Sequence, residues 1–218
     1  MKISQIKILI LPFLSVTLFS QIESLALSIG TSWAFAKISP YAFTVISGIV
    51  LGLQIKKKYS KNTSLKYISI FLAIILPFSI GFALHPIYEG DFTNTPGEKI
   101  KINYSTKDFQ SDGLTVATIP NCPFCFESIK TLKKIHKRNP NLKIEFIVCA
   151  RNENHIENYK KEINGDFPIR MAKNADSLAL TAGLKFPAFF IVKNKKPLYK
   201  WSNDQFNVLT IDRIESKL

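Results

Sequence analysis

The stretch "IPNCPFCFESIKTL", Ile119–Leu132, decides how the second half of this chain folds. Two cysteines, Cys122 and Cys125, flank Pro123 and Phe124 where a strand-like run gives way to a helix-like one. A lone C-x-x-C has three readings: thiol–disulfide exchange, metal ligation, or a place in an apolar core. Upstream, "LTVATI" (Leu114–Ile119) is a short β-branched apolar run suited to a buried strand. Downstream, Phe126, Ile129, Leu132 and Ile135 recur at three-residue steps around one helical face, while Lys130, Lys133, Lys134 and Lys137 cover the others. Asn139-Pro140-Asn141 stops that helix, and "KIEFIVCA" (Lys143–Ala150) follows as a second buried strand with Cys149 at its end. Strand, helix and strand within about 35 residues form a βαβ unit whose crossover helix begins at the cysteines.

Further along, "NENHIENYKKEI" (Asn152–Ile163) reads as a polar helix, "FPIRMA" (Phe167–Ala172) as a short extended piece, and "DSLALTAGL" (Asp176–Leu184) as a short helix with Gly183 near its end. A strand is expected over Ala188–Val192, a turn over Lys193–Lys196 and a partner strand over Leu198–Trp201. "DQFNVLTIDRIESKL" (Asp204–Leu218) closes the chain as an amphipathic helix. Ahead of the βαβ unit, "KIKINYS" (Lys99–Ser105) alternates in the manner of an edge strand. Before it, "HPIYEGDFTNTPGE" (His85–Glu98) is rich in turn residues and reads as a linker.

The order strand, C-x-x-C helix, strand, helix, proline-led hairpin and helix resembles the thioredoxin superfamily over about residues 97–218. In that family the proline that opens the hairpin is cis and faces the cysteines, which corresponds to Pro187 in "GLKFPAFFIV" (Gly183–Val192). The resemblance implies Cys122 as nucleophile and Cys125 as resolving thiol. It also implies a substrate-binding role for the backbone beside Pro187 and Phe186, with Pro123 and Phe124 between the cysteines. The extra helix and strand between Cys125 and Pro187 resemble the membrane-tethered, outward-facing TlpA and ResA kind. The chain departs from cytosolic thioredoxins in carrying Asn121 where they have Trp, and in offering no acid on the strand before the motif. Its Pro-Phe dipeptide is closer to glutaredoxins, so no proton relay through a strand carboxylate is implied.

The chemistry asked of the pair follows from its place. A thiolate is the reactive form of cysteine, and a helix N-terminus favours it through unpaired N–H groups and the helix dipole. A zinc site would need four ligands, and only Cys149, His136 and His155 could add to the pair. Cys149 reads as a small buried hydrophobe and both histidines as solvated, so neither a metal nor any other cofactor is expected.

The first half is of a different kind. Residues 1–86 hold eight lysines and a single acid, Glu23. "ISPYAFTVISGIVLGLQI" (Ile38–Ile55) and "YISIFLAIILPFSIGFAL" (Tyr67–Leu84) are charge-free and about 18 residues long, near the minimum for a spanning helix. Gly48 and Gly52 lie four apart in the first of these, a spacing that lets helices approach closely. The earlier run Ile8–Ala36 is longer, is interrupted by Gln21 and Glu23, and ends in a small-x-small Ala34-Phe35-Ala36. It reads as a retained helix ending near Glu23, against a cleaved signal peptide. Three transmembrane helices are therefore expected in residues 1–86, a linker over 87–98 and the α/β domain over 99–218. The fold class is an α-helical transmembrane region followed by an α/β thioredoxin-like domain, a central mixed sheet flanked by helices.

Five lysines, Lys56, Lys57, Lys58, Lys61 and Lys66, crowd the loop between the two clear spans and assign it to the cytoplasmic side. Lys2 and Lys7 put the N-terminus on that side too, so everything after His85 faces outward. The expected location is the inner (cytoplasmic) membrane, multi-pass, with the C-terminal domain in the periplasm or exterior. The net charge of +13 is shared between the two halves, and the bases of the first half flank apolar runs instead of forming a phosphate-binding face, which argues against nucleic acid as a partner. Expected partners are client proteins with thiols or disulfides, a separate redox partner and the bilayer. The membrane half has no cysteine, so it cannot relay electrons by thiol exchange. It bears a weaker resemblance to DoxX- or MauE-like segments. The activity implied is that of a protein disulfide oxidoreductase; the alternative is a non-catalytic binding or assembly factor for a membrane complex.

Overall fold

The computed structural model describes residues 12–58, 63–100 and 106–217. Lys2, Lys7, Lys61, the opening residues of the first apolar run and residues 101–105 of the expected edge strand lie outside the described residues. The chain divides into two compact units, Met1–Asp91 and Phe92–Leu218.

In the first unit, helical turns over residues 12–17 (α1) lead through a turn at Leu18 into α2 (Phe19–Ser28). Gly30, at φ +84°, takes the chain out of helical geometry, as glycine does without strain. Helix α3 (Trp33–Lys58) then begins, so Ala34–Ala36 belong to it. Helix α4 (Thr63–Leu84) follows. Among the described residues two helical segments, Trp33–Lys56 and Lys66–Leu84, are long and apolar enough to cross a membrane. Where one helix ending near Glu23 is expected, the described part of the run is helical in pieces, with turns at Leu18 and at Ile29–Gly30. Glu23 does not mark the end of its helix: it is half-buried in the middle of α2, which runs on to Ser28.

Helices α3 and α4 pack backbone against backbone. A methyl group at Gly48 would lie 2.8 Å from the Ala73 carbonyl oxygen and 2.9 Å from Ile74 Cα, and one at Gly52 3.1 Å from an Ile70 methyl. The four-residue glycine spacing thus opens a close crossing. The Ser15 hydroxyl donates to Thr44 Oγ1 at 3.1 Å, so a buried polar pair joins α1 to α3. Much of the outward surface of α4 is apolar, Phe71, Leu72, Ile75 and Leu76 among it.

The second unit is built on one six-stranded sheet: β1 (Glu98–Lys99), β2 (Gly113–Thr118), β3 (Ile144–Val148), β4 (Ile169–Met171), β5 (Ala188–Lys193) and β6 (Lys196–Ser202). Their order across the sheet is β1-β6-β5-β2-β3-β4. Strands β2, β3 and β4 are mutually parallel neighbours, while β5 and β6 form an antiparallel hairpin that joins them through β2. The helices are α5 (Pro123–Arg138), α6 (Glu157–Ile163), α7 (Ala175–Ala182) and α8 (Val208–Lys217). This is a thioredoxin-like α/β arrangement, a mixed sheet flanked by helices.

Because side chains alternate across a strand, β2, β3 and β5 serve two cores. Ala117, Ile147, Ala188, Phe190 and Val192 pack with Leu178 and Ala182 of α7 and with Phe109. Val116, Phe146 and Phe189 point the other way; Phe189 stacks on Phe206, ring centroids 3.7 Å apart, and Phe146 on Phe167. Buried Ile129, Leu132 and Ile135 form the apolar stripe of α5.

The latter part of the expected linker is built into this unit. The Asn207 amide donates to the Thr93 carbonyl at 2.9 Å, the Trp201 indole donates to the Thr95 carbonyl at 3.2 Å, and Arg213 donates to Asn94 Oδ1. These partners lie more than a hundred residues downstream, beyond the reach of any local sequence signal.

Candidate active site

Strand β2 is central, with β3 parallel on one side and β5 antiparallel on the other. Its end therefore sets the following turn over the middle of the sheet. Ile119, Pro120 and Asn121 make that turn. Asn121 adopts φ +56°, a left-handed conformation that Asn tolerates better than most residues. Cys122, with φ −86° and ψ 109°, is the N-cap of α5, and Pro123 stands at the first helical position, where its missing N–H costs nothing.

A disulfide joins Cys122 and Cys125, whose Cα atoms are 5.2 Å apart. The Cys125 N–H donates to Cys122 Sγ at 3.2 Å, so the sulfur fills the capping role that a side-chain oxygen takes in other helices. The two cysteines differ in access: Cys122 is 7% exposed and Cys125 is fully buried. Pro123 is exposed, and Phe124 presents its ring to solvent at 58% exposure.

Residues distant in sequence are brought to the same end of the sheet. Ala117 is paired with Ala188, so the antiparallel register sets Pro187 beside the end of β2, just before the turn that carries Cys122. The Phe186–Pro187 bond is cis. Pro187 is buried, and Phe186 is half-buried against the α7-side core.

Cys149 lies one residue past β3, half-buried, with its N–H donating to the Thr118 carbonyl at 2.7 Å. Burial, together with the nearby Asp108 carboxylate, pushes its thiol up to about 12. It is therefore a neutral thiol at physiological pH. His136 is not solvated as the sequence implied. It is half-buried, its Nδ1 is 3.2 Å from the Leu142 carbonyl oxygen, and its ring meets the edge of Phe167. His155 is exposed. Among the described residues no group of three or more His, Cys, Asp or Glu is gathered as a metal site.

The residue missed by the sequence is Tyr159. It lies in the segment read only as polar, on α6, and is fully buried. Its hydroxyl donates to the Ile119 carbonyl at 2.7 Å, and its ring stacks on Phe126 with centroids 4.4 Å apart. Burial pushes its phenol up to about 12, the Thr118 side chain acting in the opposite direction, so it remains a hydrogen-bond donor. Ile156, Tyr159 and Ile163 are spaced three and four apart and all buried, a stripe that could have marked this face.

Among the described residues the buried acids of this unit, Asp108 and Glu145, are not on β2. Asp108 accepts from the backbone N–H groups of Lys173 and Asn174, and Arg170 donates to its backbone carbonyl and, at 2.6 Å, to Glu145. These are the partners of a structural ion cluster. A cleft of about 530 Å³ lies at the opposite end of the sheet, where β2 begins, lined by Gly113, Lys143, Lys193, Tyr199 and Lys217 among others. It is remote from the cysteines.

No protein-family model matches the chain, and neither does any curated protein. Similar solved structures include a secreted Mycobacterium tuberculosis disulfide oxidoreductase homologous to E. coli DsbE, at 15% identity and a TM-score of 0.40, covering 49% of this chain and 81% of that one. Another is a thioredoxin-like protein from Bacteroides caccae, at 15% identity and a TM-score of 0.37, covering 84% of this chain and 76% of that one. The thioredoxin-like fold is seen in the strand order and helix placement themselves.

Proposed function

We propose that the second unit is a thiol–disulfide oxidoreductase acting on protein thiols or disulfides, tethered by the first unit to the outer face of the cytoplasmic membrane. The observation that carries this reading is the Cys122–Cys125 disulfide at the N-terminus of α5, its first cysteine slightly exposed and its second fully buried. In the reducing direction, the Cys122 thiolate attacks one sulfur of a client disulfide. The client S–S bond breaks, one client sulfur leaves as a thiolate, and a mixed disulfide forms. Cys125, deprotonated in its turn, attacks Cys122 Sγ and releases the second client sulfur. The client gains two electrons, and the Cys122–Cys125 bond stores the oxidation. Run backwards, the same steps oxidise a client dithiol.

The exposed Phe124 and Pro123 suit contact with a protein surface around the reacting sulfur. Backbone groups of Phe186, beside Pro187, are the proposed pairing edge for an extended client segment. A separate redox partner returns the pair to its working state, because the membrane half has no cysteine.

The test is a pair of substitutions in the full chain. Cys122→Ser abolishes reduction of insulin-type disulfides, whereas Cys125→Ser accumulates mixed disulfides with clients that a reductant releases. Undiminished turnover by Cys122→Ser would remove this reading.

A further inference from the structure

The Ile119–Asn121 turn has to hold Cys122 in place in two covalent states. In the disulfide form, Cys122 is tied to Cys125 through its sulfur. Reduction removes that tie, and the position of Cys122 over the helix N-terminus then depends on the turn that delivers it. Pro120 has no N–H with which to fasten the turn, and Asn121 is in left-handed backbone. Tyr159 touches both sides of the motif: its hydroxyl holds Ile119, three residues before Cys122, and its ring lies on Phe126, the residue after Cys125. It is fully buried and comes from α6, outside the βαβ unit that carries the cysteines.

We propose that Tyr159 is a positioning residue for the redox pair, its hydroxyl fixing the Ile119 carbonyl so that the turn keeps Cys122 at the α5 N-terminus after reduction. This rests on the redox reading of the pair and adds a direction to it. An interaction that matters more in the dithiol than in the disulfide favours the dithiol, so its removal shifts the equilibrium toward the disulfide. The same removal lets the Cys122 sulfur leave the N–H groups and dipole that favour its thiolate, and its alkylation slows.

The experiment compares wild type, Tyr159→Phe and Phe126→Leu in the full chain in detergent. Each is equilibrated with glutathione, two glutathione thiols giving one glutathione disulfide as the pair is reduced. Each reduced protein is then alkylated with iodoacetamide at about pH 6, and each Tm is recorded. Tyr159→Phe keeps the ring and removes the donor. The expected result is a shift of the exchange constant toward the Cys122–Cys125 disulfide by about three- to tenfold, the scale of one lost hydrogen bond, with Cys122 alkylation slowed several-fold. Phe126→Leu removes the stacking and keeps the donor, so its Tm falls while its exchange constant stays within about twofold of wild type. The inference is overturned if Tyr159→Phe matches wild type in both readouts, or if both variants shift the exchange constant in proportion to their loss of Tm. A wild-type pair that glutathione cannot reduce at all would overturn the redox reading, and this inference with it.

Discussion

Cys149 and Tyr159 are both acids that the folded protein keeps protonated, and that fixes a pH dependence. The unfolded chain loses these protons near the ordinary values of 9.0 and 10.0, while the folded chain holds both to about 12. Below about pH 8.5 both states are protonated and stability is unaffected. Between pH 9 and 12 the unfolded state binds fewer protons than the folded one, so stability falls as pH rises. Urea midpoints of the disulfide form are expected to agree at about pH 7 and 8 and to drop at about pH 10, with Cys149→Ser removing part of the drop. The same burial spares Cys149 from alkylation at neutral pH while Cys122 reacts in the reduced protein, which peptide mapping by mass spectrometry reads directly. At this scale legibility followed the kind of signal each residue carries. The spacing of Cys122 and Cys125 marks them as a pair without any structure, and Pro187 stands out because it opens an apolar run. Tyr159 acts through its phenolic oxygen on a carbonyl 40 residues earlier, in a segment whose asparagines, lysines and glutamates mask the buried stripe.

Among the elements, α5 and the strands on either side of it were legible because pattern and punctuation agree: β-branched runs, a proline at the first helical turn, and lysines facing out. The pattern over Asn152–Ile163 implies one helix, and the structure has two pieces there, a 3₁₀ turn at Glu153–Ile156 capped by Asn152 and then α6. The hairpin between β5 and β6 shows what pattern alone leaves open. Its expected turn of four residues is two, Asn194 and Lys195, both in left-handed backbone at φ +53° and +58°. Two left-handed centres form the primed turn that matches the twist of a hairpin, and Asn-Gly fills it best. Asn194 suits its position, whereas Lys195 carries a Cβ into a conformation that costs a side-chain-bearing residue about 1 kcal/mol. Lys195→Gly keeps the backbone N–H that donates to the Asp112 carboxylate at 2.9 Å. It is expected to stabilise the second unit by roughly 0.5 kcal/mol after the entropy of the added glycine is offset, seen as a higher Tm. A lower Tm would mean that the Lys195 side chain contributes more than its backbone strain takes away.

For the whole molecule, orientation follows from how charge is distributed about the apolar helices. The end of α3, the start of α4 and the residues between them carry Lys56, Lys57, Lys58, Lys61 and Lys66, whereas His85–Glu98, at the other end of α4, has three acids and no lysine or arginine. Lysines within about 15 residues of a span resist translocation, so the proposed orientation keeps the lysine-rich turn between α3 and α4 inside and puts the end of α4 outside. Acids contribute little to that rule, so the lysines carry the asymmetry. In that proposed orientation the Cys122–Cys125 pair would work in a compartment where disulfides persist. A periplasm-dependent reporter such as alkaline phosphatase fused after Leu218 is expected to be active, and the same reporter fused after Lys58 inactive. Replacing Lys56, Lys57, Lys58 and Lys61 by Gln removes most of the asymmetry without shortening either apolar span, so a mixed population of the two orientations should appear. Were the C-terminal fusion inactive in the unaltered chain, the pair would face a reducing cytosol. A reductant fed by the cytosolic thiol pool would then replace an outward-facing exchange protein as the reading that fits its position.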